Sequence, residues 1–408
     1  MNTLPSFAIR PLIIQRSSRS VILPALVSVL ASFSHLSAQS IRSDEFPART
    51  PQMVASQRQP GIGFAGYRLQ SVEIPLRSGL PLQGALTLPE LGKQVPAILL
   101  IPGYVPGYRN RSEEEWRRKG DEDTGTALAR HMASAGMAVL QVPIGGGAAG
   151  NEPSISAGDL ADRAVDCMRY LQARPEIDPK RIGIVGQSFG GFIATMAAAR
   201  SSDFAAAVTL ATPMESIDHT FDETLDRVLR NGGAPEAERI AIRGRLEKIV
   251  LEAAKGVKAD ELRDDLREFL RSEYPWLPKP QREKIGGNAD EFVNKLAEDH
   301  LRDFTSPMVR SLIRYDMTQT LAAVRCPMLI LFAEKDFKVE PARSRAIAEE
   351  ALQKAGHRNS SVRVVAGVDH FFEGSDPTPS TGQTSSMRFT SAFLETIVPW
   401  LQRNLAVR

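Results

Sequence analysis

The sequence has few of the residues on which disulfide-rich, metal-binding and strongly charged proteins depend. Only two cysteines, Cys167 and Cys326, occur in 408 residues. They are too few for a disulfide framework, and they lack the clustering with histidine that a zinc site requires. The formal net charge is only +2, so no global charge attracts nucleic acid or acidic polymers. We therefore expect no metal ion and no nucleic-acid partner.

The two cysteines have no pattern that assigns them a chemical role. Cys167 falls in an amphipathic helical pattern, and Cys326 opens an apolar run. We interpret both as small residues of the core. A single disulfide between them is the alternative, if the protein resides in an oxidising compartment.

A dinucleotide-binding turn is also missing. Residues 145–150 are rich in glycine, but they do not stand in the strand-to-helix context that a dinucleotide fingerprint requires. We interpret this segment as a flexible loop near the functional site. No cofactor is therefore expected.

Long hydrophobic runs are absent, and the N-terminal segment contains only a short one. Three arginines precede an apolar run at residues 21–30, and small residues follow, with cleavage expected after Ala38 or Ser40. This order is typical of a secretory signal, and the run is too short for a comfortable membrane span. We predict that residues 1–40 are a signal peptide and that the protein is periplasmic or secreted, without stable membrane insertion of the mature chain. An uncleaved N-terminal anchor is the alternative.

After an extended lead-in at residues 41–66, the sequence predicts a hairpin followed by a parallel sheet. Residues 71–89 alternate apolar and polar side chains around Ser78-Gly79, as antiparallel hairpins do. Short continuous apolar runs then alternate with helical patterns, which is typical of parallel strands covered on both faces. The predicted strands are residues 97–101, 138–142, 182–185, 206–211, 328–332 and 362–365, with helices at residues 124–135, 160–174 and 189–199.

The alternation of strands and helices stops in the middle of the chain. Residues 213–305 are strongly charged and have helical spacing, so we predict a helical cap inserted into an α/β domain formed by residues 67–212 and 306–408. A surface helical hairpin without a role at the site is the alternative. Four aromatic residues of the insertion could form its core or line a substrate pocket: Tyr274, Trp276, Phe292 and Phe304.

The strongest chemical signal is a Gly-x-Ser-x-Gly motif at residues 186–190, centred on Ser188. An apolar run enters the motif and a helical run leaves it, so Ser188 falls at a strand-to-helix junction where glycines avoid a Cβ clash. Such a turn exposes the serine Oγ above the sheet, with the N-terminus of the next helix directed at it. We predict Ser188 as a nucleophile; a helix-capping serine is the alternative.

A serine hydroxyl becomes a good nucleophile only when a base removes its proton, so one of the six histidines should serve. Five lie in the leader, an early helix, the insertion or a charged connection: His35, His131, His219, His300 and His357. His370 instead follows the last predicted strand. We therefore predict His370 as the general base.

The base needs a carboxylate to orient it, and Asp336 is the predicted one. Asp336 follows the apolar run at residues 328–332, and the chain order serine, acid, histidine is that of α/β-hydrolases. Three other acids compete for this role: Glu334, Glu340 and Asp369. Asp369 is the weaker choice because the side chain of a residue adjacent to the histidine points elsewhere.

The oxyanion of the reaction needs two N–H donors. The residue after the nucleophile, Phe189, supplies one backbone N–H on this interpretation. The second is expected from Tyr104, in the turn that follows the strand at residues 97–101. Tyr104 could instead be an aromatic residue of the turn without a catalytic role.

These motifs together resemble the α/β-hydrolase superfamily, and specifically exported bacterial esterases close to the dienelactone-hydrolase and prolyl-oligopeptidase branch. Residues 174–191, with Ile-Gly-Ile-Val-Gly-Gln-Ser-Phe-Gly-Gly at their end, carry the likeness, and residues 324–336 and 365–370 resemble the family's acid and base segments. The resemblance implies an α/β-hydrolase fold with a mostly parallel central sheet. Several members of this group have a helical insertion in the same place.

The sequence therefore predicts a carboxylesterase that acts on a small-molecule ester through an acyl-enzyme on Ser188. A serine exopeptidase or oligopeptidase of the same fold, with an amide substrate, is one alternative. A non-catalytic binding protein that retains the fold is another, from a different functional class.

Overall fold

The computed structural model describes residues 62–64, 66–79, 81–90, 94–103, 124–142, 155–279, 282–283, 288–374 and 389–406. The strands are β1 Ile62–Phe64, β2 Tyr67–Ile74, β3 Leu82–Pro89, β4 Val95–Ile101, β5 Ala138–Gln141, β6 Ile177–Gln187, β7 Ala206–Leu210, β8 Met328–Ala333 and β9 Ser360–Val365. The helices are α1 Thr124–Ser134, α2 Ala157–Gln172, α3 Phe189–Arg200, α4 Ile217–Asn231, α5 Glu236–Ala254, α6 Ala259–Glu273, α7 Ala289–Phe304, α8 Pro307–Arg310, α9 Met317–Ala323, α10 Pro341–Lys354 and α11 Ser391–Asn404. The signal-peptide prediction for residues 1–40 lies outside the described residues.

The strands form one sheet in the order β1-β2-β3-β5-β4-β6-β7-β8-β9. β1, β2 and β3 pair antiparallel, and β3 joins β5 antiparallel. From β5 to β9 every pairing is parallel. The predicted N-terminal hairpin and mostly parallel sheet are confirmed.

Helices cover both faces of this sheet, and alternate side chains of a strand pack against the helices on opposite faces. Along β4, Ile98 and Leu100 belong to one hydrophobic cluster, which includes residues of α1 and α11. Ala97, Leu99 and Ile101 belong to a second cluster, which includes residues of α2 and α3. Strands that are buried on both faces need apolar residues at every position, which is why these strands read as continuous apolar runs rather than alternating ones.

Between β7 and β8 the chain forms helices α4 to α9, and the first four of these lie in the predicted insertion at residues 213–305. Helices α4, α5, α6 and α7 pack successively against one another. Tyr274 and Phe292 are in ring contact at 5.4 Å, and Phe221 and Phe304 at 5.9 Å. Phe292 and Phe304 are fully buried. The aromatic residues of the insertion therefore form its core, with Trp276 partly buried against it.

The insertion shares its hydrophobic core with the α/β domain. Residues of α4 to α7 belong to the same apolar cluster as α2 and α3. Ion pairs add to this contact, since Arg343 of α10 pairs with Glu215 and Glu223 at the start of the insertion. The insertion is thus packed onto the domain rather than tethered to it.

Both cysteines are buried and neither forms a disulfide. Cys167 lies in α2, and Cys326 lies just before β8. Burial raises the pKa of the Cys326 thiol to about 11 and raises that of Cys167 further, which keeps both thiols neutral and unreactive. Their interpretation as core residues holds.

Several elements differ from the sequence prediction. Strand β1 lies inside the predicted lead-in, and with three residues it is too short to show alternation. Strand β6 begins at Ile177 and is longer than its apolar run because its first part is polar. Four helices, α8, α9, α10 and α11, were not predicted. Within the ranges given above, no helix has both the length and the apolar character of a membrane span.

A buried acid in the insertion makes stability depend on pH. Glu273, the last residue of α6, is fully buried, and neither carboxylate oxygen has a hydrogen-bond partner among the described residues. Burial raises the pKa of Glu273 from 4.5 to about 8, so the folded protein keeps this carboxyl protonated. The unfolded chain loses the proton above its lower pKa. The free energy of unfolding therefore falls as the pH rises from 4.5 towards 8.

We expect Glu273→Gln, which is neutral at every pH, to remove this loss. The difference between the free energy of unfolding of the variant and that of the wild type should rise by at least about 1 kcal/mol from pH 4.5 to pH 8. Urea unfolding at pH 4.5, 6 and 8 measures the difference, with Glu261→Gln at an exposed position of the same helix as the control. If this difference in free energy of unfolding were the same at all three pH values, the pKa of Glu273 would not be raised in the folded protein.

Candidate active site

Ser188 occupies a strained turn between β6 and α3, at the centre of the parallel sheet. Its backbone has φ 50° and ψ −122°, a region that non-glycine residues occupy at a cost. The turn is held by hydrogen bonds on both sides. The N–H of Ser188 donates to Leu210 O at 2.7 Å, and its carbonyl accepts from the Gly191 N–H at 2.9 Å and the Thr212 hydroxyl at 3.0 Å.

The glycines of the motif are required by close packing. A Cβ on Gly186 would overlap the backbone of Gly190 and the side chain of Ala194. A Cβ on Gly190 would overlap the carbonyl oxygens of Ile101 and Pro102, at the end of β4. The three backbone segments around the serine can therefore meet only because these positions lack side chains.

The side chain of Ser188 is not used as a helix cap. Ser188 precedes α3, but its hydroxyl makes no capping hydrogen bond. The loop after β4 passes beside it, since a Cβ on Gly103 would lie 3.3 Å from the Ser188 Cβ and 4.0 Å from its Oγ. Phe189 is the first residue of α3. Tyr104, the predicted second oxyanion donor, lies outside the described residues.

His370 and Asp336 form a buried pair. His370 Nδ1 lies 2.8 Å from Asp336 Oδ2 and 2.9 Å from Oδ1, and the two side chains are 2% and 1% exposed. Asp336 Oδ1 also accepts from the backbone N–H groups of Lys338 at 2.8 Å and Val339 at 2.9 Å. The carboxylate is thus fixed by its own loop while it faces the imidazole.

This contact assigns the imidazole tautomer. An ionised carboxylate can only accept hydrogen bonds, so His370 Nδ1 carries the proton and donates it to Asp336. Nε2 of the neutral ring then has a free lone pair.

The sheet brings the serine and histidine segments together. β6, β8 and β9 are parallel strands, so the residues that follow them, Ser188, Asp336 and His370, emerge at the same edge. The side chain of Gln187, beside the serine, donates to His370 O at 3.5 Å.

The competing acids all have other partners. Glu334 accepts from the Gly367 N–H at 2.7 Å. Glu340 caps the start of α10, where it accepts from the N–H groups of Ala342 and Arg343. Asp369 accepts from the N–H groups that follow it in its own turn. Asp336 is the acid whose carboxylate the structure places against His370.

Two other histidines lie away from this pair. His300 is buried in α7, and burial lowers its pKa to about 3, so it stays neutral. His131 in α1 packs against Phe389 with ring centroids 5.8 Å apart. The histidine that contacts the Asp336 carboxylate is His370.

An aromatic wall beside His370 was not predicted from the sequence. The rings of Phe337 and Phe371 lie 5.8 Å and 5.4 Å from the imidazole. Lys338 Nζ lies 5.8 Å and 5.9 Å from the centroids of the same two rings, and burial lowers the pKa of Lys338 to about 8 although Asp336 opposes this shift. Two consecutive aromatics after the histidine were the only signal in the sequence.

Three solved structures that are similar to this chain differ in how much of their own length the similarity covers. The structure described as DcsB in complex with its substrate analogue is 18% identical with a TM-score of 0.51 and covers 83% of this chain and 100% of its own. Alpha/beta hydrolase GrgF from Penicillium sp. sh18 is 18% identical with a TM-score of 0.46, covering 83% and 99%. Porphyromonas gingivalis dipeptidyl peptidase 4 is 16% identical with a TM-score of 0.42, covering 76% and 33%. Only the DcsB structure has a TM-score above 0.5, and at 18% identity it shows a shared fold and no more.

A comparison with functionally curated proteins gives no significant match. The sequence profile described as "Alpha/beta hydrolase family" matches residues 98–379, which is more than half of the chain and includes Ser188, Asp336 and His370. The order of the strands around the serine turn agrees with that assignment. The chain is thus a member of the alpha/beta hydrolase family.

Proposed function

We propose that this hydrolase is an exported carboxylesterase that works through an acyl-enzyme on Ser188. The observation that carries the proposal is the buried Asp336–His370 pair, which emerges at the same sheet edge as a serine in a strained, positive-φ turn. Export rests on the signal pattern of residues 1–40, and N-terminal sequencing of the mature protein tests it.

In the proposed first step, Ser188 Oγ attacks the ester carbonyl carbon and His370 Nε2 accepts the hydroxyl proton. Asp336 keeps Nδ1 protonated and stabilises the imidazolium that forms. The imidazolium then returns the proton to the leaving alcohol, and the acyl group stays on Ser188. In the second step water attacks the acyl-enzyme with His370 again as base, which releases the carboxylic acid.

The negative charge on the carbonyl oxygen needs donors in place before the reaction. We assign the backbone N–H of Phe189 as one donor, because it lies at the N-terminus of α3, where the helix dipole also favours negative charge. The N–H of Tyr104 is the proposed second donor. Gly103 supports this because it places the loop after β4 next to Ser188.

Burst kinetics with a matched pair of substrate classes tests the proposal. We expect p-nitrophenyl esters of short acids to give a burst of p-nitrophenol equal to the enzyme concentration, followed by slower turnover, because the acyl-enzyme accumulates. Aminoacyl p-nitroanilides should be cleaved at least about 100-fold more slowly in kcat/KM.

The other outcomes identify the alternatives. Preferred cleavage of the anilides would favour the peptidase interpretation. Absence of turnover and of a burst with both substrate classes would favour a binding protein that retains the fold.

A further inference from the structure

Helix α4, the first helix of the insertion, touches the loop that carries Asp336. The guanidinium of Arg227 donates to Phe337 O. One turn earlier on the same helix, the Thr224 hydroxyl donates to Lys338 O at 3.3 Å. Thr224 is fully buried and Arg227 is half-buried, so both contacts are partly buried.

These two carbonyls belong to the same peptide groups whose N–H groups bind Asp336. The carbonyl of Phe337 and the N–H of Lys338 form one planar peptide unit, and that N–H donates to Asp336 Oδ1 at 2.8 Å. The carbonyl of Lys338 and the N–H of Val339 form the next unit, and that N–H donates to the same oxygen at 2.9 Å. Each peptide group is therefore held by α4 on one side and holds Asp336 on the other.

A peptide group with hydrogen bonds at both ends is a stronger and more rigid donor than one bonded at a single end. A donor at the carbonyl polarises the group and strengthens its N–H as a donor in a low-dielectric interior. The planar geometry also transmits orientation, because fixing the carbonyl fixes the direction of the N–H. Both effects act on Asp336 Oδ1, which contacts His370 Nδ1 at 2.9 Å.

The charge of Arg227 acts in the same direction. Its guanidinium interacts favourably with Asp336, Glu223 and Glu340, while burial lowers its pKa. Arginine stays protonated in proteins despite such a shift. Arg227 thus places a positive charge behind the peptide group that binds the carboxylate.

We propose that Arg227 and Thr224 are positioning residues for Asp336, so that helix α4 of the insertion supports the acid–base pair without touching the substrate. The inference rests on the proposed function, in which Asp336 orients His370. It gives the insertion a part in catalysis that is distinct from shaping a pocket.

Kinetics of single variants give the first test. We expect Arg227→Gln to lower kcat about 10-fold and Thr224→Val about 3-fold, with KM changed less than about 2-fold, because loss of a buried hydrogen bond weakens orientation rather than substrate binding. Arg230→Gln is the matched control, since Arg230 is 66% exposed on the same helix and pairs with Asp226 instead. Thr224→Ser retains the hydroxyl and should stay near wild type. The same loss in Arg230→Gln, or a change confined to KM, would overturn the assignment.

A double-mutant cycle separates positioning from a general effect on folding. In an Asp336→Asn background, measured with an activated ester, Arg227→Gln should lower kcat less than about 2-fold, because its target is already removed. An equal fold-loss in both backgrounds would show that Arg227 acts independently of Asp336. If Arg227→Gln does not fold, Thr224→Val against Thr224→Ser carries the same cycle.

The His370 Nδ1 proton gives a spectroscopic readout that a purely structural role would not move. Its downfield proton resonance should shift in Arg227→Gln and stay in place in Arg230→Gln; an unchanged resonance would contradict the proposal. Failure of the proposed function looks different. In that case Asp336→Asn alone would leave ester turnover unchanged.

Discussion

Replacing Ser188 by alanine is expected to lower kcat for p-nitrophenyl esters by at least ~10³-fold while the protein remains folded. The reason is that Ser188 supplies the hydroxyl of this strained turn, beside the end of β4, whereas the nearby Thr212 hydroxyl already donates to the Ser188 carbonyl. The hydroxyl makes no capping hydrogen bond, so its loss removes no helix cap. Steady-state kinetics with a melting curve measure both quantities.

A labelling experiment adds the control. A fluorophosphonate probe should modify the wild-type protein at Ser188 and leave Ser188→Ala unlabelled, because only an activated serine attacks phosphorus. Ser201→Ala, at the other end of α3, should keep both labelling and turnover. Near-wild-type turnover in a folded Ser188→Ala protein would contradict the assignment of the nucleophile.

Gly190→Ala is expected to destabilise the protein by more than about 3 kcal/mol and to abolish activity. The added methyl group would overlap the carbonyl oxygens of Ile101 and Pro102, and these are backbone atoms that cannot rotate away. Relief requires α3 to separate from the end of β4, which would displace the turn that carries Ser188. Chemical unfolding and ester turnover measure the two effects.

Gly244→Ala is the matched control for this substitution. Gly244 lies in helix α5, and a Cβ there would meet no atom within 4 Å. Alanine favours helix over glycine, so this variant should be more stable by about 0.5–1 kcal/mol with unchanged turnover. If Gly190→Ala were as stable and active as Gly244→Ala, the inference that Gly190 packs too closely against β4 to accept a Cβ would be wrong.

The sequence was informative where structure is encoded locally. The runs that became β4, β5, β7 and β8 are apolar at nearly every position because both faces of the sheet are covered there. The Gly-x-Ser-x-Gly motif located the turn for the same kind of reason, since each glycine there faces a backbone or side chain that excludes a Cβ. Such constraints act on residues that are close together in the sequence, so the sequence pattern reveals them.

Contacts between distant segments were not predictable in this way. Nothing near Arg227 in the sequence indicates that it meets Phe337, because the contact depends on how the insertion packs onto the domain. The structure places Asp336 rather than Glu334 against His370, but the prediction of Asp336 depended on chain order rather than on the backbone donors that hold its carboxylate. Helices α8 to α11 were missed because no motif pointed to their segments.

The shared hydrophobic core of insertion and domain limits how this enzyme can be redesigned or can diverge. Helices α5, α6 and α7 contact mainly one another and α4, so we expect their exchange to leave the Asp336 loop in place. Helix α4 is different, because its ion pairs reach α10 and its polar side chains reach the Asp336 loop. On the proposed role of Arg227 and Thr224, a graft that replaces the whole insertion should lower the reaction rate, whereas a graft that begins after Asn231 should leave it unchanged.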